Sequence, residues 1–337
     1  TRNRSSAASD VYKRQVISDI KELLNSISKL KVVLVFGFGR QLDNYMINVH
    51  GIEPKKINGR RVTSPTDIEA AKKISGQILI DIFSLSSRYN IRNFPIPISK
   101  KDFIAAKRRD VVDDIDYGQV GDVVSVDALQ IKNLFKEHDM IIMPSLVLDK
   151  NTSEVLNVNA DTIATELAIN LSASKLIFIS DVPFIKDTQG ERISAVDENV
   201  ARKLFDEKII SNGMIVKVEN SLKALNQGVQ KIHIISGEIK NALINELETE
   251  EGIGTVFQKQ SLDYWNYNDW VIIFIAFLIS PVETVKGGVR RIIFPWIRVE
   301  ISPFFDIFSY VFNAIWLFLN STPVSYTHLR AHETSPY

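Results

Sequence analysis

This sequence predicts an α/β fold with a central, mostly parallel sheet, on three observations. Short continuous apolar runs recur at residues 31–36, 140–148, 175–180 and 231–236. Bounded by polar residues, they read as strands buried on both faces, the pattern of a sheet covered by helices. The stretch 155–185 then combines an extended piece, a helix with Ile163, Leu167 and Leu171 on one face, and the run 175–180. A strand–helix–strand unit of this kind implies parallel neighbours, with ligands at the carboxyl ends of the strands. Finally, 337 residues, 45% of them hydrophobic, suffice for one large α/β domain or two lobes.

Composition narrows the function. Forty basic residues balance forty acidic ones, so nothing steers the chain to nucleic acid or to an anionic membrane. The absence of cysteine excludes disulfide and thiol chemistry and is compatible with a reducing cytosol. Residues 1–15 are polar and lack the apolar segment of a secretory signal.

In chain order, residues 1–15 and 324–337 resemble translated adapter sequence and are expected to be non-native and uninformative about the fold. His328 and His332 are four apart, a spacing too weak to carry a metal site. Ile17, Ile20, Leu23, Leu24 and Ile27 form a helical stripe. The strand 31–36 runs into Gly37-Phe38-Gly39, a turn whose backbone N–H groups can approach a phosphate or carboxylate, or which simply joins strand to helix. Arg61 precedes an extended Val62-Thr63 pair and a helix capped near Ser64 or Thr66. It could offer a two-pronged guanidinium to a carboxylate, or be a solvated surface arginine. Residues 100–109 are a basic run that reads as a solvated face.

Asn157, Asn159 and Asp161 fall at one strand end and Ser180-Asp181 at the next. Helix capping explains one residue of the first three and leaves two for a ligand. Gly213 makes a turn ahead of an amphipathic helix, with Lys217 one turn in. His233 sits inside an apolar strand and reads as structural.

Five motifs in order extend this reading: Gly-x-Arg-Val-Thr at 59–63, Val-Gly-x-Val at 120–123, Asn-x-Asn-Ala-Asp at 157–161, Gly-Met-Ile-x-Lys-Val-Glu at 213–219 and the segment 251–255. Together they resemble the N-acetylglutamate kinase family of amino-acid kinases over about residues 16–257. The resemblance implies an αβα sandwich of two lobes, residues 16–150 for N-acetyl-L-glutamate and 151–258 for ATP. It implies a cytoplasmic phosphotransferase of arginine biosynthesis that acts on the side-chain carboxylate with ATP and Mg2+. It further implies a homodimer or higher homo-oligomer, with arginine as a feedback ligand and no nucleic acid. By the same resemblance Lys217 neutralises the phosphoryl group in flight and Asp161 orients that lysine. Asn157 and Arg61 hold the substrate beside Phe38 and Gly39. Ser180, Asp181, Val182, Pro183, Phe184 and Ile185, with Ile209, Ile210 and Ser211, line the nucleotide site, and Mg2+ is held through the nucleotide rather than by a protein metal site.

Two departures bear on activity. The family's His-Gly-Gly-Gly-Pro-Gln loop differs here at Phe36, Phe38 and Arg40, and nothing before Val32 supplies the family's opening Lys-x-Gly-Gly strand. Little or no phosphoryl transfer is therefore expected of the chain as written. Residues 259–323 form an apolar tail that reads as a frame-shifted segment, a membrane hairpin or the start of an acetyltransferase domain. Its run 270–281 is shorter than an ordinary membrane span. The acetyltransferase alternative makes the chain the kinase-like, arginine-sensing domain of an N-acetylglutamate synthase.

Overall fold

The computed structural model describes residues 2–57, 60–99, 103–180, 182–210, 213–249, 251–259 and 272–278, all within a compact unit that runs to Glu283. The first half contains α1 (Arg2–Ser26), β1 (Lys31–Gly37), α2 (Gly39–Tyr45, continued by a π turn at Met46–His50), β2 (Lys56–Ile57), β3 (Arg60–Arg61), α3 (Pro65–Arg88), β4 (Asn93–Pro95), β5 (Ile104–Arg108), β6 (Gly121–Val126) and α4 (Ala128–Leu134). The second contains β7 (Met140–Pro144), β8 (Leu146–Leu148), β9 (Val155–Asn157), α5 (Ala160–Asn170), β10 (Lys175–Ser180), β11 (Ala195–Val196), α6 (Glu198–Asp206), α7 (Gly213–Asn226), β12 (Lys231–Ser236), α8 (Ala242–Glu248), β13 (Thr255–Gln258) and β14 (Ile272–Leu278).

Eight strands form one sheet in the order β11-β13-β12-β10-β14-β1-β7-β4. All its pairings are parallel except β12 with β13. Because side chains alternate along a strand, each strand feeds two cores. Val33 and Val35 of β1, with Leu176 and Phe178 of β10, pack on α4, α5, α6 and α7. Val32, Leu34 and Phe36, with Ile177 and Ile179, pack on α1, α2, α3 and α8. The result is the expected αβα sandwich. Phe36 and Phe178 are fully buried, each stabilising the fold by about 1.5–3 kcal/mol. Helix α3 starts where its sequence says: Ser64 caps it, Asp67 returns the bond to the Ser64 backbone, and Pro65 occupies the first turn.

Four features differ from the sequence reading. The strand–helix–strand unit is incomplete, because β9 pairs antiparallel with β8 outside the main sheet. Its backbone is committed elsewhere: Asn157 N–H donates to Gln119 and Val158 N–H to Ser145. Of the basic run 100–109, residues 100–102 lie outside the described residues, but Ile104, Ala105 and Ala106 are buried in β5, whose short apolar core the flanking charges conceal. In the head, which was set aside from the fold, α1 already begins at Arg2, and Lys13 is buried against Asp81 at 2.8 Å.

The fourth difference is the apolar tail. Residues 272–278 form β14, inserted between β1 and β10 at the centre of the sheet, with Ile275 opposite both Leu34 and Ile177. A strand flanked on both sides in a parallel sheet needs an apolar run of this length, and membrane insertion is not required to explain it. The geometry permits insertion within one chain. β13 ends beside Lys231 and β14 begins beside Lys31 and Lys175, at the same edge of the sheet. The gap is three strand spacings, about 14 Å, and the intervening residues can span roughly 45 Å. The remaining tail, including the run 304–319 and the histidines at 328 and 332, lies outside the described residues. Among the described residues no helix is long and apolar enough to cross a membrane.

Candidate active site

The carboxyl ends of β1 and β10 open into a cavity of about 750 Å3. Its base is an ion pair. Asp161 stands in the first turn of α5 because Asn159 caps that helix, its side chain accepting from Thr162 N–H at 2.9 Å. Capping thus accounts for Asn159 and leaves Asp161 free for other work. Lys217, one turn into α7, reaches across to Asp161 Oδ2 at 2.9 Å. The two side chains are only 4% and 7% exposed. Lys217 also lies 5.2 Å from the centre of the Phe178 ring. The other oxygen, Asp161 Oδ1, is buried and meets no donor among the described residues. Two residues separated by 56 positions form a buried charge pair whose carboxylate keeps one acceptor unused.

One wall is built around Asn157 and the β2–β3 hairpin. Asn157 Nδ2 donates to Thr63 Oγ1 at 3.2 Å. Thr63 is in turn held by Tyr117 and Gln119 on either side of Gly118. Gly118 has φ +72° and lies so close to the Thr63 carbonyl that a Cβ would collide with it, so this approach requires glycine. Arg61 donates to Asp67 Oδ1 at 3.3 Å and to the Gly39 carbonyl at 3.4 Å, and also pairs with Asp43. Phe38 is buried at the start of α2, and no atom lies within 4 Å of where a Gly39 Cβ would be, so the turn there is open.

The opposite wall comes from residues after β10 and ahead of α7. Ser180, Val182, Phe184 and Ile185 line the cavity, as do Ile209 and Ile210. Pro183 does not line it, and Asp181 and Ser211 lie outside the described residues. This wall is pinned from behind by Thr255, fully buried, which accepts from Ile185 N–H at 2.9 Å and donates to the Ile193 carbonyl at 2.7 Å. The segment carrying Thr255 is itself fixed, as Glu246 accepts from the N–H groups of Ile253 and Gly254. His233 holds the other Glu246 oxygen at 2.7 Å, so it is structural as its apolar strand implied. Burial lowers the His233 pKa.

The structure therefore brings together Phe38, Gly39, Arg61, Asn157, Asp161, Ser180, Val182, Phe184, Ile185, Ile209, Ile210 and Lys217 around one cavity. Sequence reading missed Lys56, Arg60, Ser145, Lys186 and Met214, which also line it. Met214 stood inside the glycine-led motif, and Arg60 beside Arg61, but neither residue type signalled a site.

A family model described as "Amino acid kinase family" matches residues 5–236. The chain belongs to the amino acid kinase family. Among curated members, an acetylglutamate kinase from a Hydrogenobaculum species is 36% identical over 231 residues, covering 67% of this chain and 79% of that one. An acetylglutamate kinase from Aquifex aeolicus is 34% identical over 237 residues, covering 66% and 79%. Among solved structures, the N-acetylglutamate synthase of Neisseria gonorrhoeae, complexed with coenzyme A and N-acetyl-glutamate, superimposes with a TM-score of 0.67 at 21% identity. It covers 74% of this amino-acid-kinase chain, which spans only 57% of the synthase's length.

Proposed function

We propose that this amino-acid-kinase chain is an acetylglutamate kinase, built to transfer the γ-phosphoryl of ATP to the side-chain carboxylate of N-acetyl-L-glutamate in arginine biosynthesis. The buried Lys217–Asp161 pair at the cavity base carries the reading. Phosphoryl transfer to a carboxylate needs no protein nucleophile, only positioning and charge neutralisation. Lys217 is the cation for the transferring group, and Asp161 orients it. Asn157, Arg61 and the turn at Phe38 and Gly39 form the acceptor side. Ser180, Val182, Phe184 and Ile185, with Ile209 and Ile210, form the nucleotide side. The identity to curated acetylglutamate kinases supports the same assignment.

Among the described residues no group of three or more metal-ligating side chains exists. In this reading Mg2+ would be held mainly by the nucleotide phosphates, whose charge it neutralises, with Asp161 Oδ1 the protein acceptor at hand. A cytoplasmic homo-oligomer with arginine as feedback ligand belongs to the same reading.

The structural likeness favours a second reading, the kinase-like, arginine-sensing domain of an N-acetylglutamate synthase. The two synthase superpositions, at TM-scores of 0.67 and 0.64, exceed the 0.51 of a carbamate kinase from Giardia lamblia. The experiment that separates the two adds a Lys-x-Gly-Gly strand ahead of β1 and measures ADP release with trapping of the acyl phosphate by hydroxylamine. Product that requires N-acetyl-L-glutamate supports the kinase. No ADP release from that chain sinks the kinase reading, and arginine binding without nucleotide binding would establish the second.

A further inference from the structure

Three segments far apart in the sequence meet behind the acceptor wall. Thr63 follows β3, residues 117–120 precede β6, and Asn157 ends β9. The middle segment runs between the other two, bridged in parallel to Thr63 at Gly118 and to Asn157 at Val120. Its backbone holds both neighbours. Thr63 N–H donates to the Tyr117 carbonyl at 2.9 Å, and Gln119 N–H donates to the Thr63 carbonyl at 2.8 Å. On the other side Asn157 N–H donates to the Gln119 carbonyl at 2.9 Å. The segment is itself anchored, since Asp116 accepts from Gly118 N–H at 2.8 Å and Arg108 Nε donates to the Gly118 carbonyl at 2.9 Å. The Thr63 main chain is thereby fixed, and a β-branched side chain has little freedom left to turn its hydroxyl.

Across this strap Asn157 Nδ2 donates to Thr63 Oγ1 at 3.2 Å, a side-chain bond that closes the ring of backbone bonds. An asparagine amide carries two N–H donors and a carbonyl acceptor, and its last torsion is broad and soft. The bond to Thr63 uses one donor and holds the amide plane. Among the described residues the other donor and Oδ1 have no partner, and Asn157 lines the cavity. Thr63 is fully buried and does not line the cavity, so it reaches a ligand only through Asn157. We propose that Thr63 is a positioning residue of the acceptor side, whose hydroxyl sets the Asn157 amide before N-acetyl-L-glutamate arrives. A polar group aligned in advance spares the ligand the cost of ordering it. The inference rests on the acetylglutamate-kinase reading above, which gives Asn157 to the acceptor, and it adds the group that orients that residue.

The test reads affinity and needs no turnover. N-acetyl-L-glutamate and ADP are each titrated calorimetrically into the full chain and into Thr63→Val, Thr63→Ser, Asn157→Ala and the double variant Thr63→Val/Asn157→Ala. Thr63→Val keeps the side chain's shape without its hydroxyl. It should weaken N-acetyl-L-glutamate by about 3–10-fold, the worth of one hydrogen bond, with ADP binding unchanged. Thr63→Ser restores the hydroxyl and should bind within about twofold of the native chain. Where Asn157→Ala has removed the amide, Thr63→Val should have no further effect. Undiminished affinity in Thr63→Val, or the same loss with and without the Asn157 amide, overturns the proposal and leaves the kinase reading intact. A parallel fall in ADP affinity overturns it equally, because it marks a general loosening of the fold. A second reading on the native chain stands even if the valine variant does not fold. Before ligand is added, one Asn157 side-chain amide proton should exchange with solvent more slowly than that of an exposed asparagine, and equally fast exchange of both overturns the proposal. If the native chain binds ADP but not N-acetyl-L-glutamate, the acceptor reading fails and the inference fails with it.

Discussion

Breaking the Lys217–Asp161 pair from one side should cost far more than removing it altogether. At 2.9 Å and an effective dielectric of about 20, the attraction is about 6 kcal/mol. Both side chains are more than nine-tenths buried, so each charge also carries a desolvation penalty of several kcal/mol. Lys217→Met leaves a buried carboxylate with neither oxygen paired, since Asp161 Oδ1 already lacks a donor. Asp161→Asn leaves a buried ammonium facing a neutral amide and the Phe178 ring. Each single variant should lose about 3–5 kcal/mol of unfolding free energy, whereas the double variant should fall within about 1–2 kcal/mol of the native chain. Urea unfolding of the four proteins, with equal m-values checked first, measures the cycle. Additive losses in the double variant would refute the reasoning, because they would mean that the two charges do not answer one another.

Three further outcomes follow from the geometry. Thr255→Val should strand the Ile185 N–H at a cost of about 1–3 kcal/mol, speeding amide exchange at Ile185 and weakening nucleotide binding, while Thr255→Ser should do neither; unchanged exchange in the valine variant contradicts the pinned wall. Ile275→Pro removes a ladder donor at the centre of the sheet, so amides of β1 and β10 should exchange faster, and undisturbed protection there would exclude β14 from its place between them. Burial raises the Asp19 pKa to about 6, opposed by the bond it accepts from Leu243 N–H. The folded state therefore holds a proton that the unfolded state releases nearer pH 4, and this contribution to stability is lost as pH rises through about 4–6. The thermal midpoint of Asp19→Asn should gain on the native chain across that interval and hold its lead above it, and a constant difference would contradict the assignment.

Much of this was legible in the sequence because the relevant signals are local. The strands β1, β10 and β12 are continuous apolar runs, and the Ser64 cap and the Lys217 position follow from short motifs. The less legible parts depend on distant residues. The Gly-x-Arg-Val-Thr motif picks out Arg61 and passes over Arg60, whose place on the cavity wall shows only in three dimensions. β5 was concealed because its buried Ile104–Ala106 core is flanked by lysines and arginines. β9 looked like a strand of the main sheet, but it pairs with β8 and sends the Asn157 N–H to the loop at Gln119, which composition does not report. The place of β14 depends on a gap between β1 and β10 that closes only in three dimensions.

The most direct test of the central claim is a calorimetric titration of the Mg2+ complex of a non-hydrolysable ATP analogue into the full chain, alone and at saturating N-acetyl-L-glutamate. The cavity, with its acceptor wall at Asn157 and Arg61 and its nucleotide wall at Ile185 and Ile210, predicts that one nucleotide and one N-acetyl-L-glutamate bind together. Failure of the nucleotide to bind, or competition between the two ligands for one place, would contradict it.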